Sequence, residues 1–467
     1  MFNKRINLTQ KNLLLCLYIV ILGLFGPLMY LLNNSEGRIL SQDQVNENNI
    51  QKRISLGDKI LVTANSNPEK QAGVEAFANE EYVTALKKFD AALKSDRNDP
   101  ETLIYRNNTS AARTKDIYKI AVSVPIGGNL NVAKEILRGV AQAQNEINQS
   151  GGVNNRLVMV EIANDDNDPE IAKKVATEFV KDSKVLAVVG HNDSNASIAA
   201  APLYQQGGLV MITPTSSADT LREMGSYIFR ATPSTRALAE TLADYAVDVA
   251  GKANIAVCID SQAEASKSFK EEFTWATYNH GGKIAPTECD LSAPDFLATE
   301  IPSLAISDGA DALVLAPSIL KVDKAIEVAK ANDERLTLLG SHSMDTYATL
   351  KQGQVAVNGM VSVVAWDSQV EPNNSFNVNA NKLWGGAVNW RTAMAYDAAK
   401  TVLTGIELGA SREQLQQTIT NSEFVAEGAG STVRFLPSGD RNLKGILVEV
   451  QPGKKSGTGY DFVPLKP

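Results

Sequence analysis

Two short runs of small polar residues carry the strongest chemical signal in this 467-residue chain: Gly190-His-Asn192-Asp193-Ser194-Asn-Ala-Ser197 and Thr213-Pro-Thr215-Ser216-Ser217-Ala. Each follows a short apolar strand-like run, Val185–Val189 or Leu209–Ile212, and each leads into a helical pattern. In open α/β sheets ligands bind beyond the carboxyl ends of the strands, and a helix amino terminus offers N–H groups and a positive dipole end to an anion. Two hydroxyl-rich loops on neighbouring strands therefore form a cradle suited to a carboxylate. The alternative is that Ser194 and Ser217 only cap their helices, as Ser, Thr, Asp and Asn do for stability alone.

No catalytic arrangement accompanies these loops. The chain contains no H-E-x-x-H, no G-x-x-x-x-G-K-[ST] and no G-x-S-x-G, and Gly428-Ala-Gly430 lacks the third glycine of a dinucleotide fingerprint. Each of the three histidines, His191, His280 and His342, is expected to be a capping or satisfied polar group, and none has a recognisable nucleophile beside it. The three cysteines, Cys16, Cys258 and Cys289, form no C-x-x-C, which removes zinc-finger and iron–sulfur readings. No enzyme activity, metal or cofactor is expected. A net charge of −8 provides no basic field for a nucleic acid, and 44% hydrophobic with 21% charged residues describes a globular chain.

The elements that position the loops are strands alternating with helices after Thr114. Strand-like runs fall at Lys119–Val124, Leu157–Ile162, Val185–Val189, Leu209–Ile212, Asn254–Ile259, Lys283–Glu288, Ala312–Leu315, Leu336–Gly340 and Met360–Val364. Helices such as Asn131–Ile147, with Val132, Ile136, Val140 and Ile147 on one stripe, lie between them. This alternation predicts an α/β fold of doubly wound parallel sheets, and residues 115–467 are too many for one sheet, so two lobes are expected.

Ahead of them, Leu13–Leu32 is an unbroken apolar run long enough to cross a membrane, flanked by Lys4, Arg5 and Lys11. It reads as a transmembrane anchor at 13–32 with residues 1–12 cytoplasmic and the rest extracytoplasmic; a cleaved signal peptide is the competing reading. Residues 33–65 read as a polar linker. Residues 66–114 read as a helical hairpin, in which Gly73, Tyr82, Ala85, Phe89, Ala92 and Pro100 resemble one tetratricopeptide repeat. Such a hairpin either docks a protein partner or serves as a spacer packed on its neighbour.

The α/β region is similar to the type I periplasmic binding proteins of the leucine/isoleucine/valine-binding family. The resemblance runs from about Lys119 to Lys454. It is carried by Gly139, Glu146-Ile-Asn-x-x-Gly151-Gly152, Asn164-Asp165-Asp166-Asn-Asp168-Pro169, Gly190-His191, Ala200-Ala-Pro202-Leu-Tyr204, Thr213-Pro214-Thr-Ser-Ser217, Phe229-Arg230 and Ala395-Tyr396-Asp397-Ala398. It implies two lobes closing on a small ligand, with three chain crossings. Lobe one would comprise 115–237 and 366–427, and lobe two 238–365 and 428–450, including a Thr432–Val450 hairpin turned at Pro437-Ser-Gly439-Asp440. Residues 451–467 would be a tail.

The resemblance also implies that Ser194, Thr215 and Ser217, with Asn192 and Ser216 in the same loops, hold the carboxylate of an amino acid, amide or urea-like solute for an ABC-type permease. The other lobe departs from the pattern: Asp260-Ser-Gln262-Ala-Glu264-Ala265-Ser266 stands where a stacking tyrosine is common, and Ser341-His342-Ser343 where a carboxylate meets the ligand's ammonium. Asp193 or Glu264 is a candidate for that missing charge, against the reading of both as solvated loop acids, and His342 is a further candidate contact. A regulatory interaction protein on the same scaffold is the alternative function. Cys258 and Cys289 fall on successive strands, so a disulfide and two buried thiols both remain open. Trp390 and Tyr396, on the helix with Arg391, read as core or hinge packing.

Overall fold

The computed structural model describes residues 49–64 and 67–465. The chain divides into a unit of residues 1–51, of which 49–51 are described, and a unit of residues 52–467. The expected anchor at 13–32 lies outside the described residues, and among those described no helix is long and apolar enough to cross a membrane.

The second unit is built on two seven-stranded sheets. In lobe one the order is β1 (Ile54–Ser55), β3 (Leu157–Asn164), β2 (Ile117–Val124), β4 (Val185–Val189), β5 (Val210–Thr213), β6 (Ile228–Pro233) and β14 (Asp440–Arg441). All pairings are parallel except that of β1 with β3. Every residue of β4 is buried, as a run of Val, Leu and Ala must be when helices cover both faces of the sheet. Lobe two has the order β16 (Tyr460–Pro464), β15 (Ile446–Pro452), β11 (Val361–Val364), β10 (Thr337–Gly340), β9 (Ala312–Ala316), β7 (Asn254–Ile259) and β8 (Lys283–Ile284).

The chain crosses between lobes at Ser234, over 365–374 and over 442–445, so the three expected crossings are present but the third is displaced. The 428–450 segment is split: β12 (Ala426–Glu427) and β13 (Thr432–Val433) pair with each other and their Ala426, Ala429 and Val433 join the lobe-one core, β14 joins the lobe-one sheet, and only β15 enters lobe two. The turn at 436–440 forms and closes a short antiparallel pairing, with Phe435 opposite Arg441, but the expected Thr432–Val450 hairpin does not extend beyond it, since Val450 pairs with Phe462. The tail expected over 451–467 is likewise corrected for its described part, because β16 pairs antiparallel with β15 at the sheet edge. A two-residue strand carries no periodicity, and a β14 that joins a distant parallel neighbour carries no local turn signal.

Helix α4 (Leu130–Gln149) crosses α13 (Trp390–Leu408) so closely that a Cβ at Gly139 would lie 2.2 Å from the Thr392 carbonyl oxygen. This gives the family glycine a packing reason.

The helical segment is three helices, α1 (Pro68–Ala78), α2 (Tyr82–Ser95) and α3 (Pro100–Ala112), capped by Asn67 before α1 and Asp99 before α3. Phe89 is fully buried against Gly73, where a Cβ would meet its ring at 2.6 Å. Lys70 is buried between Asp99 and Glu101 at 2.7 Å each, and Glu101 also accepts the Leu61 and Val62 N–H groups. Burial alone would lower the Lys70 pKa, but the two carboxylates outweigh it and raise it.

The third helix belongs to lobe one. The Asn108 amide accepts from the Val160 N–H at 2.8 Å and donates to the Val160 carbonyl at 2.7 Å, standing in for a strand at the β3 edge. Asn148 does the same at Val158. Together with β1 these side chains close an edge that would otherwise present unpaired backbone groups. The linker expected over 33–65 is therefore corrected for its described part: Ile54, Ser55 and Val62 are buried in the fold.

Candidate ligand-binding site

Both polar loops sit at the carboxyl ends of β4 and β5 and face lobe two. The first is anchored by His191, which is fully buried, with Nδ1 2.6 Å from the Asp165 carboxylate and Nε2 3.1 Å from the Tyr204 hydroxyl. Burial works to raise the Asp165 pKa, yet hydrogen bonds from His191, the Asn167 N–H and Ser123 outweigh it and hold it below the usual carboxylate range. The His191 carbonyl in turn accepts Thr213 Oγ1 at 2.7 Å and Ser216 Oγ at 3.2 Å, while Ser197 and Ser216 hydroxyls lie 2.7 Å apart. Thr215 Oγ1 donates to the Asn192 carbonyl and side-chain oxygens at 2.9 and 3.0 Å. Arg230 Nη1 reaches the Ser217 and Ala218 carbonyls at 2.8 and 2.6 Å and pairs with Asp440. The loops are thus tied to each other and to the hinge.

Helix α6 (Ser194–Gln206) starts at Asp193, whose Oδ1 accepts the Asn195 and Ala196 N–H groups. Burial, with smaller contributions from Asp165 and Asp260, pushes Asp193 up to about 6 despite these bonds.

Between the lobes lies a cavity of about 40 Å³, room for roughly three waters. Its lobe-one wall is Asn192, Asp193, Ser194 and Thr215; its lobe-two wall includes Ser318, Ile319 and His342, and the amino end of α13 adds Trp390 and Arg391. A larger cavity of about 350 Å³ adjoins it and shares Ile319 and Arg391. The lobes also meet at Asn195, which donates to the Gln262 carbonyl at 2.8 Å and accepts the Glu264 N–H at 3.0 Å, and at Arg391, which donates to the Asp345 carbonyl at 2.8 Å.

The structure therefore brings Asn192, Asp193, Ser194, Thr215 and His342 to one cavity. It does not bring the other three expected residues there. Glu264 lies on the outer side of helix α8 (Glu264–Asn279), pairs with Lys267 at 2.5 Å, and leaves the cavity wall to Ala263 and Ala265. Ser216 is consumed by its loop, and Ser217 is fully buried behind the wall with its hydroxyl 3.5 Å from His342 Nε2. The capping role of the first loop falls to Asp193 rather than Ser194, whose hydroxyl accepts the Ala218 N–H at 3.3 Å.

Sequence reasoning missed Arg391 and Ser318 as lining residues. Burial pulls Arg391 down to about 10 against the nearby Asp345 and Glu135, so it stays charged. Burial, joined by Arg391, pulls His342 down to about 3, so it is neutral near pH 7. Its Nδ1 and the Ser318 hydroxyl are buried with no hydrogen-bond partner. A signal for Ser318 existed: it follows β9 just as the polar loops follow β4 and β5. A signal for Arg391 also existed, a lone cation in an otherwise apolar helix turn, Trp390-Arg-Thr-Ala-Met-Ala.

Trp390 is core by burial, and it also lines the cavity, its ring centroid 5.7 Å from that of His342 in an edge-to-face arrangement. Tyr396 is packing, with its hydroxyl on Glu146 at 2.7 Å. Cys258 and Cys289 form a disulfide beneath the Asp260 loop.

Residues 117–455 match the family model for the periplasmic binding proteins. An amino acid binding protein of Pseudomonas aeruginosa is 33% identical over 135 residues, which is 29% of this chain and 36% of that protein. A Leu/Ile/Val-binding protein of Rhizobium johnstonii is 25% identical over 297 residues, 61% of this chain and 77% of its own. Among solved structures, a leucine binding protein from Thermotoga maritima has a TM-score of 0.65 at 20% identity, covering 75% of this chain and 99% of that one. A solute binding protein from R. palustris in complex with 4-hydroxybenzoate also reaches 0.65, at 18% identity, covering 75% of this chain and 96% of its own. At these identities the structural likeness speaks for the fold.

Proposed function

The chain belongs to the periplasmic binding protein family, and from that premise we propose that it captures a small polar solute, an amino acid, amide or urea-like compound, between its lobes for an ABC-type permease, held at the membrane by its amino-terminal segment. The observation that carries this reading is the cavity lined from both lobes, in which His342 Nδ1 and Ser318 Oγ are buried without a protein partner. Unpaired buried polar atoms are costly, and a ligand that bridges them to the lobe-one wall is what would stabilise closure. The solute-binding relatives named above, one of them holding an aromatic carboxylate, support a carboxylate-bearing solute among the candidates.

A thermal-stability screen of the full chain against the twenty L-amino acids, simple amides, ureas and benzoates tests it. A ligand at 100 times its dissociation constant adds about 2.7 kcal/mol. A hit abolished by Ser194→Ala supports the cleft, and silence across the panel from well-folded protein counts against it. The second reading, a regulatory protein on the same scaffold, is favoured by the buried attachment of α1–α3 to lobe one, which gives a partner a handle that moves with that lobe. Capture of a protein other than a permease, lost on mutating exposed residues of α2 such as Val83, would favour it.

A further inference from the structure

The charges on the cavity walls oppose the orientation that the family resemblance implies, in which the hydroxyl loops hold a ligand carboxylate. On that wall most of the donors are already engaged; the Ser194 hydroxyl accepts the Ala218 N–H and keeps its own proton. The Asn195 and Ala196 N–H groups go to Asp193 Oδ1, the single Thr215 hydroxyl proton goes to Asn192, and Arg230 is turned to backbone carbonyls behind the wall. What the wall also presents is a carboxylate, since Asp193 lines the cavity and among the described residues only its Oδ1 is hydrogen-bonded.

The other end of the cavity has the opposite character. Arg391 is buried, and only its Nη1 is bonded, to the Asp345 carbonyl and more weakly to Asn389 Oδ1 at 3.4 Å. The guanidinium stacks over the Trp390 ring at 4.4 Å, and among the described residues its Nε and Nη2 have no hydrogen-bond partner and no carboxylate oxygen bonds to it. Five acids line the two adjoining cavities. Glu135 is taken by Arg138 at 2.6 Å and by Thr392, Asp345 accepts the Asn389 amide at 2.8 Å, Asp367 accepts the Gln369 N–H at 2.8 Å, Asp461 accepts the Lys455 and Ser456 N–H groups, and Asp323 stands on the far, lobe-two side. A buried guanidinium with two free nitrogens matches a carboxylate fork, and burial in a dry cleft strengthens that pairing.

We propose that the solute is a zwitterion bound in reversed polarity, with its cationic end at Asp193 and its carboxylate at Arg391. This rests on the cleft being the ligand site, and within that reading it selects amino acids over amides and ureas. Arg391 also joins the small cavity to the larger one, so a side chain beyond the carboxylate-bearing carbon has about 350 Å³ to enter.

Calorimetric titration of the full chain tests the orientation, using the twenty L-amino acids and then the carboxamide and desamino acid of the tightest binder. The amino acid should bind at least 30-fold more tightly than either truncated analogue. R391Q should weaken it at least 30-fold and leave the carboxamide unchanged. D193N keeps a residue able to cap α6, and it should weaken the amino acid at least tenfold while leaving the desamino acid equal or tighter. The sign for D193N separates the two polarities: a carboxylate seated on the hydroxyl loops would bind more tightly once the Asp193 charge is gone, so a gain in amino-acid affinity overturns the proposal. Unchanged affinity in R391Q, with R391K as the folded control, overturns it as well. If no amino acid binds but an uncharged solute does, in a manner abolished by Ser194→Ala, the polarity falls and the cleft stands. Silence across every probe removes both.

Discussion

The two walls of the cleft are built on opposite principles. On the lobe-one side nearly every polar group of the loops is spoken for: the His191 ring by Asp165 and Tyr204, its carbonyl by Thr213 and Ser216, and the Asn192 carbonyl by Thr215 and Ser216. On the lobe-two side Ser318, Ser341 and His342 Nδ1 are buried and unpaired. A satisfied network is rigid and keeps its shape with the cleft empty or full, whereas unpaired groups tolerate burial only if something else meets them. Lobe one is thus a preformed platform, further fixed by α3 and the Asn108 and Asn148 amides at its edge. Lobe two is the face that leaves buried polar groups unpaired among the described residues.

The largest test of that contrast is Asp165→Ala. The substitution strands the His191 ring and the Ser123 hydroxyl in a site with no solvent, and the expected loss is about 3–5 kcal/mol in urea unfolding of the full chain. A loss below about 1 kcal/mol would mean the platform does not depend on its buried network. Lobe two is stiffened by a covalent device instead. The Cys258–Cys289 bond closes a loop with a sequence separation of 31, for which loop entropy gives about 3–4 kcal/mol. Cys258→Ser with Cys289→Ser, or dithiothreitol with the wild type, should both lower stability by that amount. Equal unfolding curves with and without reductant would show that the two thiols are unbonded in solution.

How legible this was in the sequence follows the same division. The strand–helix alternation, the two loops and the motif residues Arg230 and Asp397 stand in long, strongly patterned segments. Asp397, for instance, takes the Ala429 N–H and pairs with Arg441. The edges were not legible, because β1 and β14 are two residues each and owe their pairing to distant strands. Lobe two's contribution to the cleft was also poorly visible. Glu264 stands out for its charge, but helix phase turns it outward to Lys267, while the residue that lines the cavity, Ser318, is a single serine after β9. Arg391 is visible as a lone cation near the start of its helix, but only the fold shows that the first turn of α13 ends at the cavity.

The pH dependence of stability sharpens the comparison at intermediate magnitude, because lobe two holds two buried groups that titrate in opposite senses. Burial and Arg391 keep His342 near 3 instead of 6.5. Between those values unfolding takes up a proton, and stability rises with pH by up to about 1.4 kcal/mol per unit. Burial keeps Asp345 near 7 instead of 3.8, so over that window unfolding releases a proton and stability falls with pH at the same limiting slope. Asp193, near 6, adds to the falling side. His342→Asn removes the rising contribution, and its stability relative to wild type should drop steadily from pH 4.5 to 6.5; Asp345→Asn should do the reverse. Parallel profiles for wild type and both variants would show that these groups are not shielded from water.

The smallest effect is the most discriminating. Thr215→Val, on the lobe-one wall, removes a hydroxyl that donates to Asn192 and should cost about 1 kcal/mol of stability whether or not ligand is present. Ser318→Ala, on the facing wall, removes a hydroxyl that has no protein partner, so the free protein should change by less than about 0.5 kcal/mol or gain slightly. Its cost should appear only on binding, as a two- to tenfold loss of affinity for the tightest amino acid of the panel, the range of one neutral hydrogen bond. Stability loss in Ser318→Ala with affinity intact would place its hydroxyl in the fold rather than at the ligand, and would erase the difference between the two walls at the point where it is most direct.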